Sequence, residues 1–454
     1  MGLLEFQAVV LAAGKGSRFP ELLEGRPKCL LPIGTYPLIW YPLRMLQRHG
    51  FQDAIVIVLE HEKSEIQQRI EKTQLKMKLE FFTITGDSDI GTADSLRMVA
   101  DRIKSDVVVV SSDTIVELSL YPLLKQFREQ RASFVSLLVQ NGGLQKVTVP
   151  GPKMKHKLER DLFGINSQNN RLLFMGSESD FEENFTISGH LLRLNEEMDI
   201  RSGLLDTHIY VISKWVFDYL EASTDISTLK GELLPLIVKK QMSSSSKVQA
   251  STEKPTSEHN VNFEARNIHH YVPNTEMDRK ITSSSIFNQG SDLLANNRIR
   301  CYVVIAPENS FGTRVNTMAS YWRANQQVMK FFPSVTDLPV TALNGTNSDI
   351  KSNQLMESAI GEQAKICEKT SISGSIIGSH CTVNPKSRLI NCTLMDHVSI
   401  GENVILENCI VGEKTIVESG VTLKNCLIGS NYTVTTGSKK ENQHLSNAER
   451  FMEI

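Results

Sequence analysis

The chain has 454 residues, of which 40% are hydrophobic and 22% are charged. This length and balance predict two to four folded domains and exclude a largely disordered or coiled-coil protein. The 49 Lys and Arg residues nearly balance the 51 Asp and Glu residues, which excludes an overall positive field that would favour nucleic acid or an anionic membrane as a partner.

The first part of the chain, residues 1–242, is predicted to be one α/β domain. Apolar strand-like runs at residues 6–13, 54–59, 80–85, 107–111 and 134–139 alternate with helical patterns at residues 37–49, 64–72 and 92–102. This alternation predicts a mostly parallel sheet built from βαβ units. Ligands of such sheets bind at the carboxyl ends of the strands.

Two segments of different character follow this domain. Residues 243–297 begin with four serines and are rich in Ser, Thr, Asn, Glu and Lys, a composition that predicts a linker. Residues 298–355 are predicted to connect the two domains, with a strand-like run at 299–305 and a helical pattern at 318–332.

The C-terminal part contains a repeat with a period of 17 residues. The repeated aliphatic positions are Ile360, Ile377, Leu394, Val411 and Ile428. Each is followed by glycine except in the third repeat, which has methionine at position 395, and aliphatic residues recur about every six positions within a repeat. This pattern predicts a parallel β-helix of hexapeptide repeats over residues 356–434, with a tail at 435–454. The break in the pattern at position 395 marks a candidate contact surface.

A glycine-containing loop after the first strand is the first candidate for a functional site. Gly14 and Gly16 would let backbone amides approach a triphosphate, and Arg18 and Lys28 would balance its charge. The spacing matches neither the P-loop nor the dinucleotide-binding fingerprint.

Two further segments add to this candidate site. Gly91 and Thr92 open a predicted helix, where a hydroxyl group and free amides would contact a base or a ribose. Asp113 follows an apolar strand at its carboxyl end, the position where a metal-binding carboxylate would hold a cation against phosphates.

Together, these motifs resemble the nucleotidyltransferase family that activates sugar 1-phosphates. With the appended β-helix, the chain is similar to those family members that are subunits of translation initiation factor 2B, a guanine-nucleotide exchange complex. The stretches that carry this second resemblance are residues 37–43, 91–97, 171–175, 206–210 and 452–454. The resemblance implies that the β-helix is left-handed.

Three departures from the enzyme pattern argue against catalysis. Glu21 and Glu24 place acidic groups beside the glycine loop, and the sugar-phosphate lysine of the enzymes is missing after residues 163–165. The motif that carries a second metal-binding aspartate is also absent after Tyr210. Because phosphoryl-type transfer depends on positioning and charge neutralisation, no catalytic residue and no metal ligand are assigned. The candidate residues would then form a vestigial nucleotide pocket.

The resemblance therefore implies a non-catalytic exchange-factor subunit that requires no cofactor and leaves nucleotide binding open. The implied partners are the epsilon subunit, which carries out the exchange chemistry, the alpha, beta and delta subunits, and translation initiation factor 2 as substrate. The sequence predicts no direct nucleic-acid or membrane contact. Seven cysteines without the spacing of a secreted disulfide framework predict a cytosolic protein.

Two other functions remain open at this point. The first is an active sugar-1-phosphate nucleotidyltransferase of the GDP-mannose or ADP/UDP-glucose pyrophosphorylase type, which would use Arg18, Lys28 and Asp113 in the phosphate and metal roles. The second is a scaffold unrelated to translation, which would form a stable homo-oligomer.

Overall fold

The structure is a computed structural model that describes residues 5–23, 25–86, 90–140, 147–152, 160–181, 187, 189–194, 197–241, 267–273 and 298–447. The predicted linker at 243–297 therefore lies outside the described residues except for 267–273. Within that short segment, Ile268 is 1% exposed and packs into the core of the N-terminal sheet. No helix among the described residues is both long enough and apolar enough to cross a membrane.

The strands before the β-helix alternate with helices, as the sequence predicted. The strands are β1 Phe6–Leu11, β2 Pro32–Ile33, β3 Tyr36–Pro37, β4 Asp53–Leu59, β5 Lys78–Ile84, β6 Asp106–Ser111, β7 Thr114–Val116, β8 Phe134–Gln140, β9 Asp161–Ile165, β10 Leu172–Ser177, β11 Asp199–Arg201, β12 Leu204–Ile212, β13 Cys301–Ile305 and β14 Gly312–Arg314. The α-helices are α1 Pro20–Leu23, α2 Trp40–Arg48, α3 Lys63–Glu71, α4 Thr92–Met98, α5 Tyr121–Gln130, α6 Gly189–Leu194, α7 Lys214–Ala222, α8 Leu234–Lys240 and α9 Met318–Thr336. Shorter turns are the 3-10 helices Lys28–Leu30, Glu60–Glu62, Ala100–Arg102, Glu178–Asp180, Ile268–His270 and Val340–Leu343, and the π-helix Leu229–Leu233.

A seven-stranded sheet in the order β13-β8-β12-β6-β1-β4-β5 forms the centre of the N-terminal domain. Strand β12 runs antiparallel to both of its neighbours, and the other neighbouring strands pair in parallel. The predicted mostly parallel sheet is therefore confirmed. Apolar side chains cover both faces of the sheet and form two separate cores, as expected for a sheet with helices on both sides.

The predicted connecting segment contributes directly to this sheet. Strand β13 pairs with β8 at the sheet edge, and β14 pairs with β7. Helix α9 then runs for 19 residues, starting from a capping box at Thr317 and ending four residues beyond the predicted boundary. Segment 298–355 therefore supplies parts of the N-terminal core as well as the connection to the β-helix.

The C-terminal region is a parallel β-helix with three sheets. One sheet contains β15 Asp349–Ile350, β18 Lys365–Ile366, β21 Thr382–Val383, β24 Ser399–Ile400, β27 Ile416–Val417 and β30 Thr433–Val434. The second contains β16 Gln354–Met356, β19 Ser371–Ser373, β22 Arg388–Ile390, β25 Ile405–Glu407, β28 Thr422–Lys424 and β31 Lys439–Glu441. The third contains β17 Ala359–Ile360, β20 Ile376–Ile377, β23 Thr393–Leu394, β26 Ile410–Val411, β29 Leu427–Ile428 and β32 His444–Leu445.

The 17-residue period and the inward aliphatic columns of this β-helix are confirmed. Successive strands pair in parallel and 17 residues apart, for example Leu389 with Leu406 and Leu406 with Leu423. The three all-parallel sheets are consistent with the left-handed β-helix that the resemblance implied. The strands extend beyond the predicted range of 356–434 at both ends, where the aliphatic pattern is weaker. In the last coil, Lys440 pairs with Leu423 and takes the aliphatic position.

The corners of the β-helix explain why polar residues recur with the same period. At one corner, Asn391, Asn408 and Asn425 have φ angles of 50°, 51° and 48°, a backbone region that asparagine tolerates better than most residues. Their amide groups form a ladder, because the Nδ2 group of Asn391 donates to Oδ1 of Asn408 at 3.3 Å and Asn408 donates to Asn425 at 3.1 Å. The corner residues therefore stabilise both the turn and the stacking.

The β-helix packs against the N-terminal domain through its third sheet. The outward side chains of Ile376, Ile410 and Leu427 join a core that also contains Trp40 and Trp322. Polar contacts surround this core: Arg69 lies 2.5 Å from the Asp396 carboxylate, and Arg26 forms an ion pair with Glu413. The two domains therefore share one continuous apolar interface.

Met395, the residue that breaks the glycine pattern, belongs to this interface. It is 2% exposed and contributes to the shared core. The predicted contact surface at this position is therefore a contact within the chain.

Replacing Met395 by glycine, the residue of the other coils, should lower the free energy of unfolding by about 2–4 kcal/mol because the side chain is removed from a packed core. Urea unfolding followed by tryptophan fluorescence measures this effect, since Trp40 and Trp322 lie in the same core. The matched control is Met356→Gly, because Met356 is 69% exposed. Equal losses for the two variants would contradict the assigned packing.

Candidate functional site

The candidate site lies where the strand order of the main sheet reverses. From β1 the chain continues to β4 on one side, and β6 later pairs with β1 on the other side. The carboxyl ends of β1 and β6 therefore meet, and the amide of Ser112 donates to the carbonyl oxygen of Leu11 at 2.9 Å. Such a reversal is the usual ligand position of an open α/β sheet.

The loop after β1 carries the predicted glycines. Gly14 is exposed, and a Cβ atom built there would meet nothing within 4 Å. Gly16 has a φ angle of +68°, and its Cβ would overlap the end of the Leu23 side chain and lie 3.0 Å from the Cβ of Lys28. The structure therefore brings Gly16 and Lys28 together. Arg18 lies on the exposed part of the same loop.

Asp113 lies at the bottom of this site and is held by two cations. Its carboxylate is buried, with the Nζ atom of Lys28 at 2.5 Å from Oδ2 and the Nε atom of Arg314 at 3.1 Å from Oδ1. The hydroxyl of Ser111 also donates to Oδ1 at 2.6 Å. Burial by itself would raise the pKa of Asp113, but Arg314 and Lys28 outweigh it and hold that pKa well below its usual value.

A neutral histidine orients Arg314. The Nη1 atom of Arg314 lies 2.8 Å from Nε2 of His208. Burial, together with Arg314 and Lys230, holds the pKa of His208 well below its usual value, so the ring is neutral and Nε2 accepts from the guanidinium. His208 has a φ angle of +55° in the part of β12 where the register with β8 shifts. The irregular strand therefore directs this ring towards Arg314.

A second buried carboxylate supports the irregular strand. Asp206 is 1% exposed and accepts hydrogen bonds from the amide of His208 at 2.9 Å and from the Tyr210 hydroxyl at 2.6 Å. Nearby, Lys230 lies 2.7 Å from the Asp161 carboxylate. Apart from Asp113 and Lys28, none of these charged residues was among the predicted site residues.

The other predicted segment, at the start of α4, is occupied by the chain itself. The amides of Ala93 and Asp94 donate to the carbonyl oxygen of Ser227 at 2.8 and 3.3 Å, and the Thr92 hydroxyl accepts from the amide of Leu229 at 2.8 Å. These two amides are therefore not free in this structure, and contact of the segment with a base or a ribose stays a prediction. Ser227 can lie this close to the start of α4 because position 91 is glycine. A Cβ atom at that position would overlap the Ser227 backbone.

The surroundings of Asp113 do not fit a magnesium ion. Both carboxylate oxygens already bind cationic side chains, and a divalent cation at this place would be repelled by Lys28 and Arg314. Among the residues that the structure describes, no group of three or more His, Cys, Asp or Glu side chains is arranged to hold a metal ion. Lys28 and Arg314 compensate the charge of this buried carboxylate without a metal.

A segment of each domain matches a known family. Residues 7–143 match the nucleotidyl transferase family, and residues 346–442 match the GMPPB C-terminal domain. The N-terminal domain is therefore a nucleotidyltransferase-like domain, as its motifs indicated.

Over most of its length, the chain resembles translation initiation factor eIF2B subunit gamma. It is 28% identical to the Schizosaccharomyces pombe protein over 342 residues, which cover 74% of this chain and 68% of the relative. It is 27% identical to the Caenorhabditis elegans protein over 379 residues, which cover 82% of this chain and 80% of the relative. The resemblance to subunit epsilon of S. pombe is more limited, with 25% identity over 48% of this chain and 34% of the relative.

Proposed function

We propose that the chain is a non-catalytic subunit of the translation initiation factor 2B exchange complex in the cytosol. In this role it pairs with the epsilon subunit and promotes GDP/GTP exchange on translation initiation factor 2. The observation that carries the proposal is the similarity to subunit gamma, which extends over 82% of the chain in the C. elegans comparison and so reaches both domains.

The environment of Asp113 supports a non-catalytic role. The enzymes of this family use a carboxylate at this position to bind a cation, whereas here Lys28 and Arg314 already bind it. Because catalysis of phosphoryl-type transfer depends on charge neutralisation at the reacting phosphate, this arrangement removes a central requirement for turnover. In this proposal the chain contributes to exchange through its surfaces and requires no cofactor, and a nucleotide in the pocket is an additional ligand.

The β-helix offers surfaces for assembly with the epsilon, alpha, beta and delta subunits. Within the described part of the chain, β30, β31 and β32 each pair with a strand on one side only. Exposed strand edges of this kind tend to pair with another chain unless they are covered. The similarity to both gamma and epsilon subunits supports the epsilon chain as the direct partner.

Co-expression with the other subunits tests the assembly. The tagged chain is expressed with the epsilon, alpha, beta and delta subunits of the same organism and purified at moderate salt, after nuclease treatment to remove bridging nucleic acid. We expect stoichiometric recovery of epsilon with the tagged chain. Recovery of the tagged chain alone, as a homo-oligomer, would overturn the proposal in favour of an unrelated scaffold.

The matches to a nucleotidyl transferase family and to the GMPPB C-terminal domain favour one alternative, an active sugar-1-phosphate nucleotidyltransferase. This function predicts release of pyrophosphate from GTP with mannose 1-phosphate, or from ATP or UTP with glucose 1-phosphate. A pyrophosphate assay in buffer with magnesium tests it, with Asp113→Asn as the matched variant. Pyrophosphate release that disappears in the variant would establish the enzyme, whereas no release from any substrate pair would remove this alternative.

A further inference from the structure

A short segment of the predicted linker is attached to the N-terminal domain. Between Gln241 and Arg298, the structure describes residues 267–273. We propose that this segment is a docking peptide that binds reversibly to a groove beside α7, so that the N-terminal domain has a peptide-binding surface occupied by its own chain. This inference goes beyond the proposed function and does not depend on it.

The two ends of the linker are held together by contacts that do not involve the docked segment. The Nε atom of Arg171 donates to Oε1 of Gln241 at 3.1 Å, and its Nη2 atom donates to the carbonyl oxygen of Ile299 at 3.4 Å. Gln241 and Ile299 are both fully buried. The chain therefore leaves α8 and enters β13 at neighbouring points that are fixed in the core, and it does not need the docked segment to join them.

Chain connectivity alone does not place residues 267–273 beside α7. A stretch as long as residues 242–266 can span up to ~80 Å when it is fully extended. This stretch begins with four serines after Met242 and is rich in polar residues, a composition that does not favour a core of its own. The position of the docked segment therefore depends on contacts made by its own side chains.

Two aliphatic side chains and one aromatic ring anchor the segment. Ile268 and Val272 are 1% and 7% exposed and belong to the apolar core on one face of the main sheet. The ring of Tyr271 packs edge-on against Tyr219 of α7, with 5.6 Å between the ring centroids. His270, by contrast, is exposed. The groove therefore fits a peptide with an aliphatic residue, a tyrosine three positions later and an aliphatic residue directly after the tyrosine.

The turn formed by the segment brings two of these anchors to the same side. Within the 3-10 helix Ile268–His270, the amide of Tyr271 donates to the carbonyl oxygen of Ile268 at 3.2 Å. Side chains three positions apart lie above one another in such a helix. The Oδ1 atom of Asn267 caps the turn by accepting from the amide of His269 at 3.2 Å. These internal hydrogen bonds favour the bound shape before docking, which lowers the entropic cost of binding.

The small number of anchors favours reversible docking. Regions with few buried side chains open at a lower free energy than the whole domain, and here three side chains anchor the segment. Its release would leave the contacts of Arg171 and the strands of the main sheet in place. The groove would then be open to a peptide with the same pattern of anchors.

Binding of a synthetic peptide to the full-length chain tests the proposal. The probe is a fluorescein-labelled peptide of residues 264–275, and fluorescence polarisation measures its affinity for the wild type and for Ile268→Asp. The new charge releases the internal segment, so we expect Ile268→Asp to bind the probe at least tenfold more tightly than the wild type, whose groove is occupied. The matched control is His270→Ala, which should bind the probe as weakly as the wild type because His270 is exposed.

A second probe tests whether the anchors are responsible. A peptide that itself carries Ile268→Asp should bind the Ile268→Asp chain at least tenfold more weakly than the first probe. Equal affinity of the two probes, or equal affinity of the first probe for the wild type and for the Ile268→Asp chain, would overturn the proposal. Sedimentation velocity distinguishes the other occupant of the groove. A wild-type dimer that Ile268→Asp abolishes would show that the segment docks on a second copy, which would overturn docking within one chain.

Hydrogen exchange of the wild-type chain decides the question if circular dichroism shows that Ile268→Asp does not fold. The amides of residues 268–272 should exchange at least tenfold more slowly than in the free peptide and at least tenfold faster than the amides of α7. Exchange as fast as in the free peptide would show that the segment is not docked. Exchange as slow as in α7 would show that the segment is a fixed part of the core. Either result would overturn the proposal.

Discussion

Replacing Asp113 by asparagine should lower the free energy of unfolding by about 3 kcal/mol at neutral pH. The substitution keeps the shape of the side chain but removes the negative charge between Lys28 and Arg314. Removing one partner of a buried ion pair typically costs about 3–5 kcal/mol, because the remaining charge is uncompensated. The partial exposure of both cations places the expected loss at the lower end of that range.

The pH dependence of this loss follows from the direction of the pKa shift. Because the pKa of Asp113 is lowered in the folded state, its contribution is fully present above the ordinary aspartate pKa of about 4 and decreases as the pH falls below it. The difference in unfolding free energy between the wild type and Asp113→Asn should therefore be constant from about pH 8 to pH 5.

Urea unfolding at several pH values in this range measures both predictions. The matched control is Asp218→Asn, since Asp218 forms an exposed pair with Lys214, and such pairs contribute little. The assigned ion pairs would be contradicted if Asp113→Asn lost no more unfolding free energy than the control. They would also be contradicted if this loss changed steeply between pH 8 and pH 5.

The second large effect is expected in the β-helix, where Leu406→Ala should lower the free energy of unfolding by about 2–5 kcal/mol. Leu406 is fully buried in the middle of an inward column and pairs with Leu389 and Leu423 in the neighbouring coils. Truncation leaves a cavity that the rigid coils on both sides cannot fill. Each coil is stabilised by its neighbours, so the loss should affect the whole β-helix.

The neighbouring residue provides the control for this prediction. Ile405 lies on the same strand but is 37% exposed, so Ile405→Ala should cost much less. Far-UV circular dichroism is the suitable probe, because the three tryptophans, Trp40, Trp215 and Trp322, all precede the β-helix. Similar losses in Leu406→Ala and Ile405→Ala would contradict the inward and outward assignment.

The β-helix could be predicted from the sequence because its pattern of aliphatic residues is local and repeats in every coil. One aliphatic residue in each segment, such as Leu389 or Leu406, is enough to fix the inward face, and the period of 17 fixes the pairing. The last coil was not predicted, because Lys440 stands there in the aliphatic position. Strand β13 was also predictable as a strand, but its place at the edge of the N-terminal sheet depends on pairing with β8 far earlier in the chain.

The candidate site could be predicted only in part. Gly16, Lys28 and Asp113 come together because they follow adjacent strands of a parallel sheet, which is a general property of the fold. Arg314 lies 201 positions from Asp113, and no local pattern indicates that β14 brings it there. The partners of α4 were missed for the same reason, since Ser227 approaches Gly91 from a distant segment.

The release of GDP from translation initiation factor 2 is the most direct test of the proposed role. The factor is loaded with labelled GDP, and release is followed with the epsilon subunit alone, with this chain alone, and with both. The account predicts that this chain alone releases no GDP and that adding it to epsilon increases the rate. The two chains are mixed at equal concentration. A rate of GDP release that equals the rate with epsilon alone would contradict the account.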